Sequence, residues 1–112
     1  MSALKPDRIR GAMLGLALGD AYGRSLEFIR GPRVRTQPVP MPSAAFMWTD
    51  DTHMALYLVD ALAQVGKAGL RRLSEDDLGA AVGAAFVRWA DDPLTPSTAP
   101  GNTCLAGVAA FR

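Results

Sequence analysis

Residues 48–65 read "WTDDTHMALYLVDALAQV", a segment that predicts an amphipathic helix with two adjacent carboxylates in its first turn. Apolar side chains recur there at three- and four-residue steps, which is the spacing of one helix face. The helix is expected to begin near Asp50 and to end before Gly66, because glycine commonly terminates a helix. The side chains of the expected buried stripe are Met54, Tyr57, Leu58, Ala61, Leu62 and Val65.

A helix is also predicted over residues 7–23, with an apolar face that ends at Asp20. The residues of that face are Ile9, Ala12, Met13, Leu16, Ala17 and Asp20. Gly11, Gly15 and Gly19 recur at every fourth position and form a second ridge without side chains. Glycine lowers helix propensity, so this spacing suggests that another backbone packs closely against the ridge.

Two more helices are predicted in the second half of the chain. Ser74 is followed by three acidic residues, which is typical of an N-cap with an acidic first turn. This helix should stop near Asp91, because Pro93 follows. A short fourth helix should begin near Asn102 or Thr103.

The remaining segments read as loops. Residues 29–47 contain prolines that lack a donor and disfavour helix at the preceding residue, so a long loop is expected. No strand pattern competes with the helices. The sequence therefore predicts an all-α fold, with residues 1–112 as a single domain that looks incomplete, since a helix of about ten residues is marginal by itself.

Composition excludes several classes of protein. The chain has 112 residues, with 49% hydrophobic and 21% charged residues and a net charge of +1. Such a balance gives no electrostatic case for a nucleic-acid partner. No apolar run reaches the ~18 residues that a membrane span needs, and no signal peptide is apparent. The single cysteine, Cys104, excludes an internal disulfide. We expect a cytoplasmic protein.

The paired aspartates have two interpretations. Thr49, Asp50 and Asp51 are good capping residues, and the positive end of a helix tolerates their charge. They are also the hard oxygen ligands that Mg²⁺ prefers. With one cysteine and one histidine in the chain, zinc is disfavoured.

Other segments offer candidate site residues with similar ambiguity. Glu27 could lie on an apolar wall beside Phe28, where it would suit proton transfer, or it could be an exposed loop glutamate. Gly101, Asn102 and Thr103 could bind an anion at a helix N-terminus or could form an ordinary cap.

Three further side chains have simpler expectations. His53, the single histidine, has no cysteine or serine partner at a familiar spacing and is expected to face solvent. Asp91 and Asp92 could echo the first aspartate pair, but the proline that follows them favours a helix-exit turn. Cys104 is expected to be a small packing residue, because nothing near it in the sequence would activate a thiol.

Three segments in order resemble the motifs of the ADP-ribosylglycohydrolase family. They are "GAMLGLALGDAYGRSLEF" at 11–28, "WTDDTHMALYLVDAL" at 48–62 and "PGNTCLAGVAAF" at 100–111. The resemblance implies an all-α bundle around a two-metal site, with Mg²⁺ or in some members Mn²⁺. The chain then corresponds to the N-terminal helices of that bundle.

The resemblance also implies roles for particular residues. Thr49, Asp50 and Asp51 match the family's metal ligands. Glu27 matches an acidic residue implicated in catalysis, and Asp20 matches a Gly-Asp pair that supports the site. The Gly-Asn-Thr segment lines the substrate cleft in relatives, which nominates Gly101, Asn102 and Thr103 for substrate binding.

The expected function follows from that resemblance. Related enzymes hydrolyse the bond between ADP-ribose and a protein side chain or a small molecule. A later Asp-x-Asp motif, which supplies their second set of metal ligands, is absent from these 112 residues. We therefore expect an inactive chain that self-associates or pairs with a chain supplying the missing helices. The alternative is a non-catalytic ADP-ribose-binding module or pseudoenzyme fragment.

Overall fold

The structure is a computed structural model that describes residues 5–29, 31, 47–69 and 72–112. Its helices are α1 (Pro6–Arg24), α2 (Asp50–Ala68), α3 (Glu75–Asp91) and α4 (Asn102–Phe111), with a 3₁₀ turn at Thr95–Thr98. No strand occurs within these ranges, so the all-α prediction is confirmed. Most of the predicted loop at 29–47 lies outside the described residues.

The chain divides into two compact units, Met1–Thr52 and His53–Arg112. In the first unit, α1 starts with a proline at its first helical position, where the missing amide proton costs no hydrogen bond. A side-chain carbon added at Gly11, Gly15 or Gly19 would meet no described atom within 4 Å. The close backbone packing expected on this ridge is therefore not made by the described part of the chain.

The apolar face of α1 is largely uncovered among the described residues. Ile9 and Leu16 of that face are 44% and 40% exposed, and Ala21 is the buried residue of the helix. Exposed apolar surface of this kind favours association with other protein surface. Self-association, which the sequence led us to expect, stays a prediction.

Helix α2 begins at Asp50, as predicted, but it ends at Ala68 and not before Gly66. Gly69 has a φ of +95°, a left-handed conformation that glycine adopts without a steric penalty. Its amide donates to the carbonyl of Gly66 at 3.1 Å, which closes the last turn. The sequence prediction named the wrong glycine, because both lie at the end of the apolar pattern.

Helix α3 has the start that the sequence predicts. The hydroxyl of Ser74 accepts a hydrogen bond from the amide of Asp77 at 3.1 Å, and the amide of Ser74 donates to the carboxylate of Asp77 at 3.2 Å. Each side chain satisfies an amide that the helix leaves unpaired, which is the capping-box arrangement. The N-cap prediction is confirmed.

We expect Ser74→Ala to lower the free energy of unfolding by about 1 kcal/mol, because it removes the N-cap acceptor. Urea denaturation of the chain measures this change. Ser97→Ala is a suitable control, since the Ser97 hydroxyl makes a local hydrogen bond, as donor to the carbonyl of Leu94, but caps no α-helix. Equal costs for the two substitutions would contradict the capping role.

The same cap should make stability depend on pH. Hydrogen bonds from the hydroxyl and amide of Ser74 hold the pKa of Asp77 below its ordinary value of 3.8. A lowered folded-state pKa means that this contribution is present above 3.8 and is lost as the pH falls through the folded value. The cost of Ser74→Ala should therefore be larger at neutral pH than in strong acid.

Helices α3 and α4 form the core of the second unit. Ala85 and Trp89 on α3 are fully buried, and Val108 of α4 is 7% exposed. Gly83 leaves room for the ring of Phe111, whose tip occupies the place that a side chain at 83 would take. This packing positions the loop between α3 and α4, which carries further candidate residues.

Candidate active site

The carboxylate of Asp20, near the end of α1, accepts four hydrogen bonds from the residues at the start of α2. The hydroxyl and amide of Thr49 lie 2.6 Å and 2.7 Å from its oxygens. The hydroxyl and amide of Thr52 lie 2.6 Å and 3.2 Å from Oδ2. Both threonines are buried, at 6% and 3% exposed. Asp20 therefore ties α1 to the first turn of α2.

Through these hydrogen bonds Asp20 caps the start of α2, although it belongs to the preceding helix in the chain. Burial raises the pKa of the Asp20 carboxyl, but the donors of Thr49 and Thr52 outweigh it and the pKa falls below its ordinary value. The amide of Asp51 lies 3.4 Å from Thr49 Oγ1, a weaker contact. Asp20 and Thr49 thus provide acceptors for these amides, and both interpretations of Asp50 and Asp51, helix-start residues or metal ligands, stay predictions.

Asp50 and Asp51 concentrate negative charge at the same turn. Local burial raises the pKa of Asp51, and the charges of Asp50 and Asp20 raise it further. Like charges this close favour either a proton or a bound cation. A divalent cation bound at this turn would neutralise the negative charge of these carboxylates.

The donor set fits one side of a magnesium site. Two carboxylates and a hydroxyl, from Asp50, Asp51 and Thr49, are hard oxygen ligands. The hydroxyl proton of Thr49 is donated to Asp20. The same oxygen could therefore still coordinate an ion through a lone pair. Within the described ranges, no group of three or more His, Cys, Asp or Glu side chains is arranged to hold a metal. Further ligands would have to come from elsewhere.

Glu27 lies in the turn that follows α1 and is exposed. Its neighbour Phe28 is 91% exposed, so the described residues form no apolar wall around the carboxylate. Of the two interpretations of Glu27, the exposed loop glutamate matches its surroundings here. Its catalytic role stays a prediction.

Gly101, Asn102 and Thr103 lie at the start of α4 and are exposed. Gly101 is the N-cap, with an extended backbone and no side-chain capping bond. Thr103 also lines a mainly apolar cavity of about 400 Å³ together with Val82, Phe86 and other residues of the second unit. Their role in substrate binding stays a prediction, since these residues belong to the second unit and the aspartate pair belongs to the first.

His53 is buried, at 4% exposed, so the prediction that it faces solvent is wrong. Its Nε2 lies 3.2 Å from Oδ2 of Asp92, to which Tyr57 also donates at 2.7 Å. Asp92 is the C-cap of α3 and accepts a hydrogen bond from the amide of Leu94 at 2.8 Å, so the helix-exit prediction is confirmed. The sequence signal for this cluster was weak. His53 and Tyr57 share a helix face, but Asp92 lies 39 residues from His53.

In the described part of the chain, no helix is long and apolar enough to cross a membrane. Cys104 is half-buried beside the cavity, as expected of a packing residue.

Comparison with known proteins gives consistent results. The chain is 48% identical over 65 residues to ADP-ribosylarginine hydrolase Tri1 of Pseudomonas putida (strain GB-1), covering 54% of this chain and 18% of that protein. It is 34% identical over 87 residues to the enzyme of the same name from Serratia proteamaculans (strain 568), covering 74% and 21%.

A third relative aligns over more of the chain. The chain is 31% identical over 111 residues to the ADP-ribosyl-[dinitrogen reductase] glycohydrolase of Rhodospirillum rubrum, covering 91% of this chain and 34% of that protein. The aligned segments thus span 18% to 34% of the relatives' lengths. No solved structure matches the chain. The sequence profile of ADP-ribosylglycohydrolases matches residues 1–112, and the chain belongs to the ADP-ribosylglycohydrolase family.

Proposed function

We propose that these residues contribute the first part of a metal-dependent hydrolase that cleaves the glycosidic bond between ADP-ribose and a modified side chain or small molecule. ADP-ribosylarginine is the substrate to test first, because two of the similar proteins are named for it. The observation that carries the proposal is the acidic first turn of α2, which Asp20 holds through four hydrogen bonds.

Each group at this turn has a proposed part in the chemistry. Asp50, Asp51 and Thr49 would hold Mg²⁺, or Mn²⁺ in its place, and further ligands outside this set would complete the shell and hold a second ion. A bound Mg²⁺ would supply Lewis-acid polarisation and a more acidic water. Asp20 keeps the first turn of α2 in place, since it binds both threonines that flank the aspartate pair.

Proton transfer is assigned to Glu27, and contact with substrate to Gly101, Asn102 and Thr103. Glycoside hydrolysis passes through an oxocarbenium-like transition state, so carboxylates near the anomeric carbon stabilise developing positive charge. Exposure of Glu27 leaves its oxygens accessible to substrate. These assignments follow the family resemblance of the three motifs.

The 112-residue chain alone should not turn over substrate. Mg²⁺ demands near-octahedral geometry and gives up water reluctantly, so two carboxylates and a hydroxyl bind it weakly. The experiment incubates the chain with an ADP-ribosylarginine substrate and Mg²⁺ and measures released ADP-ribose. Turnover by the chain would overturn the expected inactivity, and it would support the hydrolase assignment if chelation abolished it.

A binding module is the second candidate, because no group of three metal-ligating side chains occurs in the described ranges. Calorimetry with ADP-ribose, with and without Mg²⁺, distinguishes the two candidates. Binding of equal strength in both conditions would favour the module over the metal-dependent enzyme. Binding that requires Mg²⁺ would favour the enzyme.

A further inference from the structure

The segment between α3 and α4 contains two buried polar side chains that the proposed chemistry does not use. We call residues 92–101 the connecting loop. Thr95 and Thr98 in its 3₁₀ turn are 2% and 4% exposed, although loop residues usually lie on the surface. A buried hydroxyl costs free energy unless it is hydrogen-bonded, so each of these threonines needs a specific partner.

Both hydroxyls find their partners in nearby backbone carbonyl groups. Thr95 Oγ1 donates to the carbonyl of Trp89, in the last turn of α3. Thr98 Oγ1 donates to the carbonyl of Thr95 at 2.8 Å. The amide of Thr95 donates in turn to the carbonyl of Asp92 at 3.0 Å. The 3₁₀ turn is therefore attached to the end of α3 through both its backbone and its side chains.

The carboxylate of Asp92 joins the start of the connecting loop to α2. Its Oδ2 lies 3.2 Å from Nε2 of His53 and accepts the hydroxyl of Tyr57 at 2.7 Å. Its Oδ1 accepts the amide of Leu94 at 2.8 Å, so the same carboxylate also orders the loop that follows it. Every residue in these contacts belongs to the second unit, as do residues 101–103.

A short segment with restricted dihedral angles connects the buried Thr98 to the first turn of α4. Ala99 has a φ of 59° and a ψ of 52°, a left-handed conformation that is unfavourable for a residue with a Cβ atom. The ring of Pro100 restricts its own φ, and Gly101 is extended. A strained conformation persists only where the surrounding structure holds it. The position of residues 101–103 therefore depends on the contacts that hold the 3₁₀ turn.

We propose that Asp92 and Thr95 are positioning residues, which hold the connecting loop so that residues 101–103 meet the substrate in one fixed arrangement. The inference rests on the proposed function only for the claim that residues 101–103 contact ADP-ribose. A segment that is already ordered loses little conformational entropy when a ligand binds, so loosening the loop should weaken binding.

The test compares three variants of the chain by two measurements. Thr95→Val removes the hydroxyl and keeps the branched shape, Asp92→Asn removes the negative charge, and Thr95→Ser keeps a hydroxyl that can still donate. The amide chemical shifts of residues 101–103 report the start of α4, and calorimetry with ADP-ribose and Mg²⁺ reports affinity. Thr95→Val and Asp92→Asn should move these shifts and weaken binding by about tenfold, while Thr95→Ser should recover most of both.

Ser74→Ala is the matched control, since it also removes a hydroxyl that bonds to the backbone, but at the opposite end of α3. It should lower stability and leave both the shifts of residues 101–103 and the affinity unchanged. If Thr95→Val and Asp92→Asn behave in the same way as this control, the buried contacts only stabilise the fold and the proposal fails. Moved shifts with unchanged affinity would also overturn it.

Two further outcomes keep the test decisive. If Thr95→Val does not fold, Asp92→Asn decides by the same two measurements. If the unmodified chain binds no ADP-ribose, the substrate assignment of residues 101–103 in the proposed function fails. The chemical shifts then decide by themselves whether Asp92 and Thr95 hold the start of α4 in place.

Discussion

Asp20→Ala should lower the free energy of unfolding by roughly 2–4 kcal/mol, the largest stability change that we expect from one substitution at the site. The carboxylate accepts two hydroxyl and two amide hydrogen bonds. Hydrogen bonds to a charged group contribute about 1.5–3 kcal/mol each, but the contributions are not additive where water can replace the acceptor. Urea denaturation monitored by circular dichroism measures the change.

Two further variants sharpen this prediction. Asp20→Asn keeps the shape and one acceptor oxygen, so it should cost less, about 1 kcal/mol. Asp7→Ala removes an acidic residue of the same helix whose contact with Arg10, at 3.5 Å, is exposed, and it should have little effect. If Asp20→Ala costs no more than Asp7→Ala, the carboxylate does not hold the start of α2.

Replacing Asp50 and Asp51 together by asparagine should weaken Mn²⁺ binding by roughly 100- to 1000-fold. A unit charge about 4 Å from another contributes about 1 kcal/mol in water, a divalent ion doubles that, and two carboxylates double it again. Because Asp20 and Thr49 supply capping acceptors, stability should change by at most about 1–2 kcal/mol. Electron paramagnetic resonance measures the affinity, and urea denaturation measures the stability.

Asp60→Asn is the control for this variant. Asp60 is an exposed carboxylate on the same helix, so the substitution changes the net charge without changing the first turn. Its Mn²⁺ affinity should match that of the unmodified chain. Unchanged affinity in the double variant, with a loss of stability only, would mean that the aspartate pair serves as a helix cap and not as a metal ligand.

Local features made the helices predictable. Apolar residues at helical spacing and the Ser74 cap lie within a few positions of one another, so the sequence contains the information that these elements need. The end of α2 was less certain, because Gly66 and Gly69 both offered a stop. The helix continues through Gly66 to Ala68, and Gly69 is the glycine that takes the left-handed conformation.

The candidate site was predictable in part. The aspartate pair stands out in the sequence because adjacent charges at a helix start need compensation. Asp20 also stood at the end of an apolar face, yet nothing local indicated that it would accept four hydrogen bonds. The error about His53 has the same origin, since its partner is distant in the chain.

By itself, the sequence determined the all-α character, the helix starts at Asp50 and near Asn102, the acidic turn and the family. The tertiary structure decided which groups meet that turn: Asp20 binds Thr49 and Thr52 across 29 and 32 residues, and Asp92 binds His53 across 39. Helices follow from backbone hydrogen bonds and side-chain spacing within a turn, which a local pattern records. Contacts between distant residues depend on the path of the folded chain, and no short pattern encodes that path.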